Sequence, residues 1–505
     1  MADVLIGLDV GTTATKAQAF SVDGRVLAAA SGGYGLITPR PGWVEQSPDD
    51  LIRAAGETLR QVLGQLESHD RVLGLALSSQ GGTTIPVGAD GRPTYNAISW
   101  MDQRGETQAR RVREVLSADY IHTTTGWPLQ NLLPLQHIAW LRDNCRDCFS
   151  ATRRFVFVND FIGHWLSGEY AMDPTSAGIT QLFNILVGDW EDRLLAVAGV
   201  ERQQMSPIVP CGLSIGRVTA SASAEIGLPE GTPVVNGAHD QYCAAVGAGV
   251  MRPGEVLLSC GTAWVLLAVP DTPDAGLAAQ MAVGRHAIDG RWGAIRSLGG
   301  VGTSVEWLLD TVWGGRDAGQ AREPLYRAMN AEASAAVPGV DGLRFYPLAG
   351  GHANTYGPGR GGFIGLTLSH SRGDMARAVM EGIAFELRWV IEEMRTAGVA
   401  VSNLRMVGGA SASPVWPQIV ADVANVEVTL PDTREAAGRG AAILAGVGIG
   451  LFANPEAGYA AFAGRETQLQ PQPEHVARYE DAFESYRRGA LQIEASQTRC
   501  TQRTQ

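Results

Sequence analysis

Asp9, Gly11, Thr12, Thr13 and Lys16 fall in one short stretch near the start of the chain, Val4-Leu-Ile-Gly-Leu-Asp-Val-Gly-Thr-Thr-Ala-Thr-Lys16. It reads as an apolar strand, a Gly-Thr turn and a second strand. Gly11 lets the backbone approach a phosphate closely. Thr12 and Thr13 add hydroxyl and amide donors, and such a turn can form a concave set of N–H groups for an anion. Asp9, at the strand end, is placed to hold Mg²⁺ directly or through water, and Lys16 adds a positive charge. An ordinary hairpin with Asp and Thr bonding backbone has the same composition, so this stretch alone leaves both readings open. No Gly-Lys-Ser/Thr opens a helix here, so it is not a P-loop. About half the chain later, Glu255-Val-Leu-Leu-Ser-Cys-Gly-Thr-Ala-Trp-Val-Leu-Leu267 repeats the grammar with Gly261 and Thr262. Two similar halves, each offering a Gly-Thr hairpin, point to a nucleotide clamped in the cleft between them.

Two further turns carry chemistry. In Val235-Asn-Gly-Ala-His-Asp240-Gln-Tyr242 a strand ends and a helix begins at Asp240. One reading is an N-cap carboxylate. The other uses the same place: ligands of open α/β sheets bind at the carboxyl ends of strands, where a carboxylate can take the proton of an attacking hydroxyl. His239 is expected to be structural. Val407-Gly-Gly-Ala-Ser-Ala-Ser413, between a strand and a helix, is suited to cradling an adenosine through Gly409, Ala410 and Ser413.

The elements that position these residues alternate strand and helix, an α/β class. Ser47-Pro-Asp-Asp50 opens a helix with a Ser cap and acids in the first turn, followed by Ile52, Ala55, Leu59, Val62, Leu63 and Leu66 at helical spacing. Val72 to Leu77 reads as a buried strand. Met375 to Met394 reads as a long helix, Leu404 to Val407 as a strand, and Gly440 to Leu451 as a small-residue helix suited to close packing. At 505 residues two large domains are expected: residues 1–246 with the first hairpin and Asp240, residues 247–490 with the second hairpin and the adenosine turn, and a polar, frayed tail over 491–505.

The net charge of −12 and the lack of a basic run argue against nucleic-acid or anionic-membrane partners. A bound polyphosphate must then be held by local donors and a metal. No membrane-length apolar run and no basic leader are visible, which points to a cytoplasmic protein. Cys145 and Cys148 have Cys-x-x-Cys spacing without a second pair or nearby His, and are expected to be reduced thiols.

The order of these pieces resembles the FGGY carbohydrate kinases of the actin-like ATPase superfamily, from about Val4 to Arg488. The most specific piece is Gly361-Gly-Phe-Ile-Gly365-Leu366 followed by Asp374-Met-x-x-Ala378-Val-Met-Glu381. Pro134-Leu-Gln-His137-Ile-Ala-Trp140-Leu-Arg-Asp-Asn144 resembles the N-terminal signature, with His137 where Lys is usual. The resemblance implies two similar ribonuclease H-like domains, with ATP and Mg²⁺ as cofactors and a small sugar as partner. It implies that Asp240 is the base, that Gln241 touches substrate, and that the remaining turns hold nucleotide. A homodimer is common in the family.

The resemblance also places a substrate wall at Gln80, Gly81 and Gly82, where glycerol kinases carry Arg-Glu and xylulokinases Met-His at the two glycines. Glycines there are expected to leave room for a substrate larger than glycerol. Trp100-Met-Asp102-Gln-Arg104 resembles a Trp-x-Asp-x-Arg segment. Trp100 is either core or a platform for a carbon chain, and Asp102 is expected to accept sugar hydroxyls. Gly42-Trp43-Val-Glu45-Gln46-Ser-Pro48 and Tyr479…Tyr486 look most like the xylulokinase branch. The leading expectation is phosphorylation of a ketopentose such as D-xylulose. Ribulose, gluconate or a polyol are alternatives, and a chaperone- or filament-type ATPase or an inactive sugar-binding regulator are rivals of other classes.

Overall fold

The computed structural model describes residues 2–315, 321–352, 361–433, 435–462 and 464–503, with side chains to 493. The chain folds into two compact units: Met1–Arg252 with Val269–Ala294 and Glu435–Gly464, and Pro253–Ala268 with Ile295–Arg434 and Arg465–Gln505.

The first unit is built on strands β1 (Asp3–Val10), β2 (Ala14–Ser21), β3 (Val26–Gly33), β4 (Arg71–Ser79), β5 (Ser214–Arg217) and β6 (Pro233–His239). Their order is β5-β6-β4-β1-β2-β3. β1, β2 and β3 form an antiparallel meander, whereas β4 runs parallel to β1 and β6 parallel to β4. The core beneath is aliphatic: Ile6, Leu8, Leu59, Leu75 and Ile162 have no exposed surface. The Pro48–Leu63 helix starts as its sequence dictates, with Ser47 accepting from the Asp50 amide at 3.2 Å.

In the second unit, β7 (Gly254–Cys260), β8 (Trp264–Ala268), β9 (Val401–Gly408), β10 (Glu427–Leu430) and β11 (Thr467–Leu469) follow the order β8-β7-β9-β10-β11. The pattern repeats that of the first unit: an antiparallel hairpin, two parallel additions and an antiparallel edge. Both Gly-Thr turns therefore join the same pair of strands in their own sheets.

The two compact units are not contiguous in sequence. Val269–Ala294 and Glu435–Gly464 belong to the first unit. The reason for the latter lies in its small residues. In the Ala436–Gly448 helix, a Cβ at Gly440 would lie 1.8 Å from the Cys243 carbonyl oxygen, and one at Gly7 would lie 1.9 Å from that of Gly438. Only glycine permits this approach of helix to helix and helix to strand.

Residues 473–503 form one helix, which carries the polar segment beyond 490 to Arg503; Thr504 and Gln505 lie outside the described residues. The expectation for the cysteine pair changes. Cys145 and Cys148 are joined by a disulfide, not held as free thiols. Two consecutive helices, Pro134–Asn144 and Arg146–Ala151, meet at Cys145 and bring the Cα atoms to 5.3 Å, within bridging reach.

Candidate active site

β1, β4 and β6 are parallel neighbours, so their carboxyl ends lie side by side. Asp9, the last residue but one of β1, lies beside Ser78, whose hydroxyl donates to its Oδ1 at 2.6 Å. Asp240 follows β6 directly. It is the first residue of the Asp240–Ala248 helix, His239 occupies the cap position, and no side chain caps the turn. The N-cap role weighed for Asp240 is therefore not the one it performs. Its carboxylate is about one-third exposed, and Oδ1 lies 3.1 Å from Nε2 of His239.

The two carboxylates interact. Burial, then the negative charge of Asp240, pushes the Asp9 carboxyl up to about 7, against the opposing effects of the Ser78 bond and Lys16. A pair of acids in this state suits a divalent cation, which would relieve both effects. Among the described residues no cluster of three His, Cys, Asp or Glu side chains is placed to hold a metal. Mg²⁺ characteristically keeps several waters and phosphate oxygens as ligands and is held by only one or two carboxylates.

The first Gly-Thr turn is held from several sides. Gly11 N–H donates to Ala14 O at 3.0 Å, and the Tyr34 hydroxyl donates to Gly11 O. Gln46 donates to Thr12 O at 2.7 Å and the Trp100 indole to Thr12 Oγ1 at 2.9 Å. Thr13 is exposed. Lys16 pairs with Glu435 at 2.7 Å. The second turn is one residue shorter: Val10 faces Thr15 across the first, and Cys260 faces Trp264 across the second. Gly261 and Thr262 are exposed, and Gly302 donates to Thr262 O at 3.1 Å. On the turn after β9, Gly409 is exposed and Ala410 buried, while Ser413 Oγ accepts the Trp416 amide at 3.1 Å and meets Asn330 at 2.7 Å.

Around the expected substrate wall the outcome is mixed. Gln80 is buried, donating to Gln46 at 3.1 Å and accepting from Thr83 at 3.2 Å. Gln80, Gln46 and Trp100 thus support the Thr12 turn as one network. Trp100 is not core: it is 40% exposed. Gln241 has a buried Oε1 without a hydrogen-bond partner. Asp102 is wholly buried and occupied, accepting from Arg104 at 2.8 Å and from the Val44 amide at 2.5 Å, so it positions its neighbours and presents no free acceptor.

Gly81 does not leave empty space. A Cβ there would lie 2.7 Å from Cδ2 of His239 and 3.1 Å from Ile179, so the imidazole fills the volume that the glycine vacates. Gly82 has φ of 77°, the left-handed conformation that favours glycine. His239, expected to be structural, fills that space and lies beside Asp240. Gln46 was missed as a partner of Thr12.

The other recognised motifs converge on structure. The buried Arg104 guanidinium pairs with Glu45 at 2.7 Å and Asp102 at 2.8 Å and lies 4.0 Å from Trp43 and 4.8 Å from Trp140. His137 is buried beside Thr84 at 3.2 Å, and burial pushes its pKa down to about 4. Glu381 pairs with Arg377 at 2.8 Å and accepts from Tyr479 at 2.7 Å, tying the C-terminal helix to the Arg372–Thr396 helix.

The N-terminal domain of the FGGY family of carbohydrate kinases matches residues 4–247, and the C-terminal domain matches residues 256–449. The chain belongs to this family and has its two-domain α/β, actin-like kinase fold: it is a sugar kinase. It is 29% identical over 459 residues to a gluconokinase of Bacillus subtilis, covering 90% of this chain and 88% of that one. It is 28% identical over 489 residues to a xylulose kinase of Staphylococcus epidermidis, covering 96% of each. An L-fuculokinase of Escherichia coli is 28% identical over 478 residues, covering 94% and 98%. Among solved structures, xylulose kinase from Rhodospirillum rubrum superposes with a TM-score of 0.87 at 26% identity, covering 97% of this chain and 99% of that one.

Proposed function

We propose that this kinase transfers the γ-phosphoryl group of ATP to a terminal hydroxyl of a ketopentose, D-xylulose first among them. The observation that carries the reading is Asp240: a partly exposed carboxylate at the end of a parallel strand, excused from helix capping and oriented by His239. Asp240 takes the proton of the sugar hydroxyl as its oxygen bonds to the γ-phosphorus. The bond from phosphorus to the β–γ bridging oxygen breaks, and ADP leaves.

Gly11, Thr12 and Thr13 are proposed nucleotide contacts of the first unit, with Lys16 after release from Glu435. Gly261, Thr262, Gly409, Ala410 and Ser413 are those of the second. Asp9 would hold Mg²⁺, which supplies charge neutralisation on the phosphoryl oxygens. Gln80, Gly81 and Gly82 shape the sugar side, Trp100 offers an apolar face, and Gln241 offers its free acceptor. The xylulose reading draws support from similarity to the Staphylococcus enzyme over 96% of both chains. Gluconate is the second reading, supported by the Bacillus gluconokinase. A cytoplasmic location goes with both.

A screen of ADP release across pentuloses, hexuloses, polyols and sugar acids tests the reading. D-xylulose is expected to give the highest kcat/KM. A strong preference for gluconate would replace the substrate and keep the chemistry, while no sugar-stimulated ADP release would remove both.

A further inference from the structure

A cavity of about 1030 Å³ lies within the first unit, between the 285–292 turn and the 202–211 loop. None of the residues proposed above to touch sugar or nucleotide lines it. Its lining carries the guanidinium groups of Arg154, Arg202, Arg285 and Arg291 against the carboxylates of Asp189 and Asp289. Arg202 is neutralised by Asp189 at 2.6 Å and Asp192 at 2.8 Å. The others are not neutralised: Arg154 donates to the Met205 carbonyl at 2.5 Å, and Arg285 to the Ile185 and Leu186 carbonyls at 2.9 and 2.8 Å. Among the described residues no carboxylate lies within ion-pair distance of Arg154, Arg285 or Arg291. His286, 4% exposed, lines the same cavity with a buried Nε2 that has no hydrogen-bond partner.

Carbonyl-anchored guanidiniums are held in place while keeping their charge. Such an arrangement recognises a multiply charged oxyanion, because the fork geometry matches phosphate and carboxylate oxygens. The volume far exceeds one inorganic ion and lies at the upper end for small-molecule sites. Val187, Ile208 and Ile288 give it an apolar wall for a carbon skeleton.

We propose that this cavity is a second ligand site, taking a small phosphate monoester of sugar-phosphate size. The turn that lines it is gripped by Tyr242. A Cβ at Gly284 would lie 2.9 Å from the Tyr242 hydroxyl oxygen, and one at Gly293 would lie 2.3 Å from its ring. The Tyr242 ring stands edge-on to His286 at 5.6 Å and 5.9 Å from His239, which bonds Asp240. Contact therefore runs continuously from the cavity wall to Asp240.

Calorimetric titration of the full chain with ribose 5-phosphate tests the site, with inorganic phosphate and ribose as parallel arms. Saturable binding of the ester is expected, with weaker binding of inorganic phosphate and none of ribose. R154Q and R291Q should each weaken the ester roughly tenfold or more, while Q80A, on the proposed sugar side, should leave it unchanged. R291Q changes an exposed turn residue and decides the matter even if R154Q fails to fold. Absence of ester binding, equal binding of inorganic phosphate, or loss in Q80A with retention in both arginine variants would overturn the proposal. None of these outcomes depends on which sugar is phosphorylated.

Discussion

Nε2 of His239 stands 3.1 Å from Oδ1 of Asp240, and the same ring occupies the space that the missing side chain of Gly81 leaves. One imidazole thus links the proposed base to the loop proposed to face the sugar. D240N should fold and bind ATP yet lose roughly 10²- to 10⁴-fold in kcat, the usual worth of a general base. Near-normal sugar kinase turnover in D240N would remove Asp240 from that role. H239Q should cost less, roughly 10- to 100-fold through misplacement of the carboxylate. It should lower kcat more than it raises the sugar KM, a split that a general structural loss would not give.

Gly81 and His239 should behave as a coupled pair. G81A places a methyl within 2.7 Å of the ring, so the imidazole must move. Overpacking of this kind costs about 1–3 kcal/mol. The double variant G81A/H239S should recover thermal stability relative to G81A while keeping the activity loss of H239S. Simple additivity of the two stability changes would show that the residues do not compete for one space.

Trp100 is held by its bond to Thr12 but keeps a large exposed face. W100A should raise the sugar KM by about tenfold or more, in line with loss of a large apolar contact surface. W100F, which loses the indole N–H and keeps a ring, should fall between W100A and wild type. Steady-state kinetics with sugar and ATP varied separately will tell whether the effect lies on the sugar side.

Asp9 carries a pH signature. Its folded pKa, about 7, lies above the ordinary carboxylate value, so the folded state binds the proton more tightly. Its contribution to stability therefore falls as pH rises from about 4 to about 7 and is flat above that. D9N should gain thermal stability over metal-free wild type at pH 8 and show little difference at pH 4. Added Mg²⁺ and ATP should narrow the gap at pH 8 by stabilising wild type more than D9N. An unchanged gap would argue against Asp9 as the metal anchor.

In the second unit His352 donates between Glu386 at 2.6 Å and Glu393 at 3.2 Å and stacks on Trp389 at 4.0 Å. Burial alone would lower its pKa; the two carboxylates override burial and push it up to about 9. The folded value exceeds the unfolded one, so the stabilisation is complete below about 6.5 and is lost as pH climbs through 9. Melting temperatures of wild type and H352Q should differ most near pH 6 and converge by pH 10.

Short-range signals in the sequence determined a good deal: the Ser47 cap, both Gly-Thr hairpins, the strand ending at His239, and the family to which Gly361–Glu381 points. Each is set by residues within a few positions of one another, where propensity and turn chemistry act. Long-range packing decided the rest. That Asp102 is spent on Arg104 and Val44 depends on Trp43, Glu45 and Trp140 closing around one guanidinium from distant segments. That Gly81 faces a filled space depends on β4 and β6 being neighbours, which places His239 beside it. The inclusion of Glu435–Gly464 in the first unit depends on glycines whose partners lie hundreds of residues away. A glycine in sequence marks only the absence of a side chain; whether that absence opens a pocket or admits a neighbour is settled by what the tertiary structure brings against it.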